Sequence, residues 1–455
     1  MLYDIQINKV MLLEEFQRYI KENYLIEPGE RVLLAVSGGV DSMVMLSLFA
    51  RSGYDVAVAH CNFQLRGEES VEDEQLVEDQ CASLGVEFYN KRFDTVGEMD
   101  RSGDSVQMAA RRLRYDWFNS ICEEYGYDAV AIAHHADDSI ETFFINLFRG
   151  TGLKGLTGIH KVRGRVVRPI LFASRKDIAD YAHQYNIPFR EDSSNRSTKY
   201  LRNKIRLGLV PKLREINPKF TELMSDNIRR LTATQLFIDR SIELIRDRIE
   251  SRQGDLTLID LDSIDQEYPI GFVLFELLNP YGFKGDVVDQ LTRSLHNDAT
   301  GKRFYGKDKV AYVDRGRIIV ADISGEESCQ VEIDKESRKA YIGNSALYFE
   351  RTDIDNIDTL NVPENVALLD ADLLKFPLTA RRWNDGDRFI PLGMTGRKKV
   401  SDFLVDAKVS AAQKARQFVL LSGEDIVWLV GRRIDDAYRV SDKTENILKI
   451  TREVL

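Results

Sequence analysis

The stretch Val32–Phe49, VLLAVSGGVDSMVMLSLF, decides how this chain is read. It begins as an apolar, β-prone run, breaks at Ser37-Gly38-Gly39, and becomes apolar again from Met43. A buried strand, a tight glycine turn and a helix give this pattern. Two adjacent glycines let the backbone take positive φ and approach a ligand with no Cβ in the way. The N–H groups of such a turn, with the unpaired first N–H groups of the helix, form an anion site, and phosphate is the usual anion. Ser37 and Ser42 add hydroxyls. A plain strand–helix turn capped by Asp or Ser would look similar. No lysine follows as in G-x-x-x-x-G-K-[ST], and the spacing is not G-x-G-x-x-G. Asp41 puts a carboxylate beside the cradle, and Mg²⁺ bridging Asp41 to phosphate oxygens is the economical solution.

Outward from this turn, strands and helices alternate. Strands are expected at 31–36, 55–60, 86–93 and 128–134, with a fifth at 165–170. Helices are expected at 10–26, from Asp41, and at 68–84, 105–124, 138–148 and 175–185. This is the pattern of an α/β, Rossmann-like parallel sheet with helices on both faces. Ligands of such sheets bind at the carboxyl ends of the strands, so the glycine turn, His60 and His134 should share a crevice. Residues 212–252 read as helical throughout, and GFVLFELL and VVDQLTRSLH as helices among short strands. From about Lys335 short β-like runs dominate. The expected division is 1–215, the α/β domain that carries the glycine turn; 216–335, mainly helical; and 336–455, a small α+β domain.

With 43% hydrophobic and 30% charged residues, the chain has a soluble globular composition. No run approaches a membrane span, and MLYDIQINKV lacks the apolar core of a signal peptide. Cys61, Cys81, Cys122 and Cys329 show no C-x-x-C spacing, which argues against a disulfide framework, zinc site or redox pair. A cytoplasmic protein without membrane association, monomer or homodimer, is expected. Net charge is −10, yet Arg149–Arg168 holds six Lys/Arg and Arg196–Arg214 seven, neither with an acid. Such stripes suit a polyanion partner, although a solvated helix face would also account for them.

A second informative stretch is AIAHHADDSIETFFINLFRG. Asp137, Asp138 and Glu141 lie three or four apart at an expected helix start. Asp138 with Glu141 could be a capping box; three carboxylates in a ligand crevice could instead bind Mg²⁺ or a cationic amine.

SGGVDS resembles the pyrophosphate loop of the N-type ATP pyrophosphatases, and HHADDSIET resembles a signature of the tRNA(Ile)-lysidine synthetase family. AARRLRY, which places Arg111, Arg114 and Tyr115, and EDSSN followed by LRNKIR, which places Asp192, Ser194, Asn195, Arg202, Asn203 and Arg206, are similar to further family blocks. So is RRWNDGDRFIPLGMTGRKKVSDFLVDAKV near the C-terminus. The chain departs from the family pattern at Phe63, within HCNFQLRG, and at Gln107; neither is assigned a role.

The resemblance implies a ligase. It adenylates the 2-carbonyl oxygen of the wobble cytidine of the tRNA(Ile) with a CAU anticodon, using ATP and Mg²⁺. The ε-amine of free lysine then displaces AMP. It implies catalytic roles for Asp41, Arg111, His134, Asp137 and Glu141, and ATP contacts from Ser37, Gly38, Gly39, Val40, Asp41, Ser42, His60 and Arg114. It implies substrate contacts from Asp138, Asn195, Arg202, Asn203, Lys204 and Arg206, Mg²⁺ at Asp41 and Asp137, and tRNA binding by both later domains. A carboxylate or a histidine would take the proton that lysine loses. Alternatives are another tRNA-modifying enzyme of the same superfamily, such as a thiolation enzyme, which usually needs paired cysteines, or a non-catalytic RNA-binding protein.

Overall fold

The computed structural model describes residues 2–190, 201–295, 300–323, 330–357 and 359–454. They form two compact units, Met1–Ile238 and Asp239–Leu455.

The first unit is built on helix α1 (Leu2–Glu22), strand β1 (Val32–Ala35), helix α2 (Val40–Ser52), strand β2 (Val56–Asn62), helix α3 (Glu68–Leu84) and strand β3 (Glu87–Arg92). Helices α4 (Thr95–Ser102) and α5 (Val106–Tyr125), strand β4 (Ala129–Ile132) and helix α6 (Ala136–Arg149) follow. The two-residue strands β5 (Val162–Arg163) and β6 (Val166–Val167) and helix α7 (Arg175–Gln184) complete the α/β part. Sheet order is β3-β2-β1-β4-β6-β5. All pairings are parallel except β5 with β6. Alternation along β1 sends Val32 and Leu34 into one core with α2 and α7, and Leu33 into another with Phe118 and Ile121 of α5. Both faces of the sheet are therefore covered, as a parallel sheet requires.

Three expectations shift. The fifth strand is only the two residues of β6, not 165–170: Gly164 and Arg165 form the tight turn that leads in from β5, and Pro169 and Ile170 already lie in the next turn. The helix expected over 212–252 is broken: helix α9 (Val210–Ile216) ends at Asn217, whose extended backbone precedes Pro218, and helix α10 (Phe220–Ile249) starts afresh. The residue before a proline is driven out of helical conformation. Helix α4 was not foreseen; it is one short turn pair capped by Asp94, which accepts from the Gly97 N–H.

In the second unit, 250–322 contributes helices Ile270–Leu278 and Gly285–Leu295 and a five-stranded antiparallel sheet. The short strands expected among helices thus assemble into a sheet of their own. The remainder holds a five-stranded and a four-stranded sheet that share one core, including Leu347, Leu369, Leu420 and Trp428. No helix among the described residues is long and apolar enough to cross a membrane.

Candidate active site

The turn between β1 and α2 has the conformation its glycines foretell. Gly38 sits at φ +90°, while a Cβ there would only touch Asp73 at 3.5 Å. Backbone conformation, not space, demands glycine at this position. Gly39 is the N-cap of α2 and no side chain caps it, so the helix start stays open to a ligand. The Ser42 hydroxyl is spent inside the loop: it accepts from the Ser37 N–H at 3.1 Å and donates to the Gly39 carbonyl at 2.9 Å. Ser42 therefore shapes the cradle rather than reaching out of it. The Arg190 N–H donates to the Gly38 carbonyl, and its guanidinium binds Asp73, which also holds Arg66.

A cleft of about 890 Å³ opens above the strand ends, lined by Ser37, Gly39, Asp41, Ser42, His60, Arg111, Arg114 and His134 among others. The expected crevice is thus present, with His60 inside β2 and His134 two residues past β4. His60 is buried; its Nδ1–H donates to the Val36 carbonyl at 2.9 Å, and burial lowers its pKa. Arg114 lies 5.2 Å from the centre of the Phe63 ring, which stacks on Phe93. Phe63 thus lines the cleft, a contribution that sequence reasoning left unassigned.

Asp41 opens the first turn of α2. Its Oδ2 accepts from Arg175 Nη1 at 3.3 Å, while Oδ1 is buried with no hydrogen-bond partner. Burial raises its pKa against the opposing pull of His135 and Arg175. A lone buried carboxylate oxygen beside a phosphate-sized cradle suits a hard cation. Asp137 fits less well: Oδ2 accepts the Arg175 N–H at 2.8 Å and Oδ1 is bound by Arg214. No group of three metal-ligating side chains occurs among the described residues.

The acidic cluster lies beside the cleft and does not line it. His135, almost fully buried, stands between Asp41 Oδ1 at 3.8 Å, Asp137 Oδ2 at 3.8 Å and Asp138 Oδ2 at 3.5 Å. The expected capping pair of Asp138 and Glu141 is not formed. α6 starts one turn earlier, with His135 as N-cap, and Asp138 accepts the His135 N–H at 3.0 Å. Glu141 is 2% exposed and is met by Arg202 Nε at 2.7 Å and Arg206 Nε at 2.5 Å. The same arginines reach Asp138 Oδ1 at 2.8 and 3.3 Å. Burial pushes the Asp138 carboxyl up, but His135, Arg202 and His134 outweigh it and hold the group below its ordinary range.

The basic stripe at 196–214 therefore does not simply face solvent. Arg202, Arg206 and Arg214 turn inward and neutralise Asp138, Glu141 and Asp137. These residues are carried by helix α8 (Leu201–Lys204), a π-helical turn (Ile205–Leu209) and α9. Lys204 is exposed and Asn203 half-buried. Asp192, Ser194 and Asn195 lie outside the described residues. Arg175 and Arg168 were missed. Each acts across more than 30 residues of chain, Arg175 on Asp41 and Arg168 on His134, and no local pattern announces either.

A family model described as a PP-loop domain matches residues 12–213, one described as a TilS substrate binding domain matches 252–323, and one described as a TilS substrate C-terminal domain matches 378–450. The tRNA(Ile)-lysidine synthase of Bacteroides thetaiotaomicron is 38% identical over 439 residues, which is 96% of this chain and 99% of that protein. Those of Parabacteroides distasonis and Porphyromonas gingivalis are 36% and 33% identical, each over 96% of this chain and 99% and 97% of their own length. With such kinship along nearly its whole length, and with the glycine cradle and the HHADDSIET helix start meeting at one site, the chain belongs to the tRNA(Ile)-lysidine synthase family.

Proposed function

We propose that this chain joins free lysine to C2 of the wobble cytidine of the tRNA(Ile) with a CAU anticodon. ATP activates the cytidine 2-carbonyl oxygen as its adenylate, releasing pyrophosphate; the lysine ε-amine then forms the new C–N bond as AMP departs. The observation that carries this reading is the open cradle of Ser37–Ser42 with Asp41 Oδ1 buried and unpartnered beside it. Such a site is preorganised for the charge that grows on the departing pyrophosphate. Mg²⁺, held at Asp41, supplies charge neutralisation when bound. Arg111 and Arg114 reach ATP phosphates or the flipped nucleotide from α5.

Lysine is placed at the acidic cluster. Asp138 and Glu141 already hold two guanidinium groups, so they are built to bind cations, and an ammonium replaces part of that arginine contact. Lys204, with the remaining exposed basic residues, serves the tRNA backbone. The domains at 216–335 and 336–455 serve tRNA recognition.

The test is single-turnover kinetics with the adenylated tRNA trapped and lysine varied. Glu141→Gln should still release pyrophosphate but stall before lysidine, or demand far more lysine. Equal loss of both steps would remove lysine from this cluster. The mass of the modified tRNA separates lysine transfer from thiolation, and absence of tRNA-dependent pyrophosphate release would reduce the chain to an RNA-binding protein.

A further inference from the structure

His134 lines the cleft, and the side chain behind it is Arg168, which follows β6 in the chain. Arg168 is 5% exposed, as arginines seldom are unless paired. Its Nη1 donates to the His160 carbonyl at 2.7 Å, and its Nε–H points at His134 Nδ1 at 3.1 Å. A guanidinium can only donate. His134 Nδ1 must therefore accept, and the ring proton must sit on Nε2. In neutral imidazole the partner of one nitrogen dictates the role of the other. His60, in the same cleft, is set the opposite way: a carbonyl faces its Nδ1, so that nitrogen carries the proton and Nε2 accepts.

We infer that Arg168 is a positioning residue that locks His134 as a neutral Nε2–H donor to the bound substrates, which removes His134 as the base that deprotonates lysine. The inference rests on the proposed reaction for its kinetic consequence only; the tautomer is a property of the free protein. The surroundings agree. Burial, with Arg168, Arg202 and His135 nearby, lowers the His134 pKa to about 4 against the opposing charge of Asp138. Around Arg168 itself stand Tyr115, Arg111 and Arg163. Near neutral pH His134 thus has no lone pair to offer and no second proton to give.

The chain has six histidines, so ¹⁵N-histidine NMR on the full-length protein can resolve them, with His134→Gln giving the assignment. The Nε2–H tautomer is expected for His134 at pH 7, with no protonation until well below pH 6. Arg168→Gln should mix the tautomers and move the titration toward the ordinary value of a histidine. It should also slow adenylation about tenfold, the usual scale for a lost orienting partner, with a new limb in the rate–pH profile near pH 6–7. Arg168→Lys retains a cationic donor and should restore much of the tautomer and the rate. An Nδ1–H tautomer in the unmutated protein overturns the inference, as does a folded Arg168→Gln protein with unchanged tautomer and pH profile. If Arg168→Gln does not fold, the unmutated spectrum and Arg168→Lys still decide. The NMR result stands apart from the reaction: a correct tautomer without lysidine formation would sink the proposed function and leave this assignment intact.

Discussion

The carboxylate of Asp41 and the carboxylates at the start of α6 are separated by a single imidazole, His135, yet they live in opposite electrostatic states. At the glycine loop one oxygen of Asp41 is buried without a hydrogen-bond partner, and burial raises the acid's pKa. At α6, Asp138 and Glu141 share two arginines, and the pKa of Asp138 is held down. The first carboxylate keeps one oxygen that no donor among the described residues satisfies. The second pair is already satisfied from within the chain. The proposed reaction, in which a metal–nucleotide and an amine bind in turn, would use both states: an open site for the ligand that brings its own countercharge, and a filled site whose internal cations an incoming ammonium displaces.

The hardest blow to this contrast is Asp41→Asn. Loss of the charge beside the cradle should slow pyrophosphate release by about 10²–10³-fold, the scale of one lost transition-state partner. Because the native charge is buried at a cost, the variant should melt no lower than the parent, and thermal unfolding without ligands checks this. A lower melting temperature would mean that Asp41 is structurally paired after all.

On the filled side, Arg206→Met should cost about 2 kcal/mol. It leaves Glu141 with Arg202 alone, and stripping a buried acid of a partner is expensive even when one remains. Urea unfolding at pH 7 measures it, and an unchanged midpoint would show that Arg202 suffices.

Acid titration should separate the two states by sign. The lowered pKa of Asp138 gives stability that is present above the ordinary carboxylate pKa and lost as pH falls through the folded value. Asp138→Asn should therefore flatten the acid loss of stability. The raised pKa of Asp41 does the reverse, since the folded state takes up its proton first and gains as pH falls. Asp41→Asn should make the acid loss steeper. His134 adds to the acid loss. Its folded pKa of about 4 lies below the unfolded value of 6.5, so its contribution is full above about pH 6.5 and is lost as pH falls toward 4. The span corresponds to up to about 3 kcal/mol. Denaturant unfolding from pH 7 to 4, parent against His134→Gln, reads it.

The smallest effect is expected at Arg175→Ala. That guanidinium is 45% exposed, and its pair with Asp41 should contribute about 0.5 kcal/mol or less to stability. A loss above about 1 kcal/mol, measured by urea unfolding, would show that Asp41 is structurally paired.

Much of the architecture was legible. The alternation of strands and helices announced a parallel sheet, and SGGVDS at the end of β1 announced the cradle. Where reading along the chain went astray, tertiary pairing or a local break had the deciding voice. The Asn217-Pro218 break was written in the sequence, where a proline drives the residue before it out of helical conformation. The stripe at 196–214 suits a polyanion by composition, which counts charges without saying where they point. Three of its arginines turn inward, where the α6 carboxylates supply the countercharge.

What the sequence determined by itself was the order of elements, the anion cradle and the chemical kinds gathered near it. These follow from rules that act within a few residues: side-chain periodicity, glycine's freedom at positive φ and the open N-terminus of a helix. What only the tertiary structure decided was the state of each group. Arg168 reaches His134 across 34 residues, Arg175 reaches Asp41 across 134, and Arg202 reaches Glu141 across 61. Whether a carboxylate is hungry or satisfied, and which nitrogen of an imidazole carries its proton, depends on burial and on partners brought together by folding. Electrostatic energies inside a protein are set by distances of a few ångströms between such groups, and separation along the chain does not encode them.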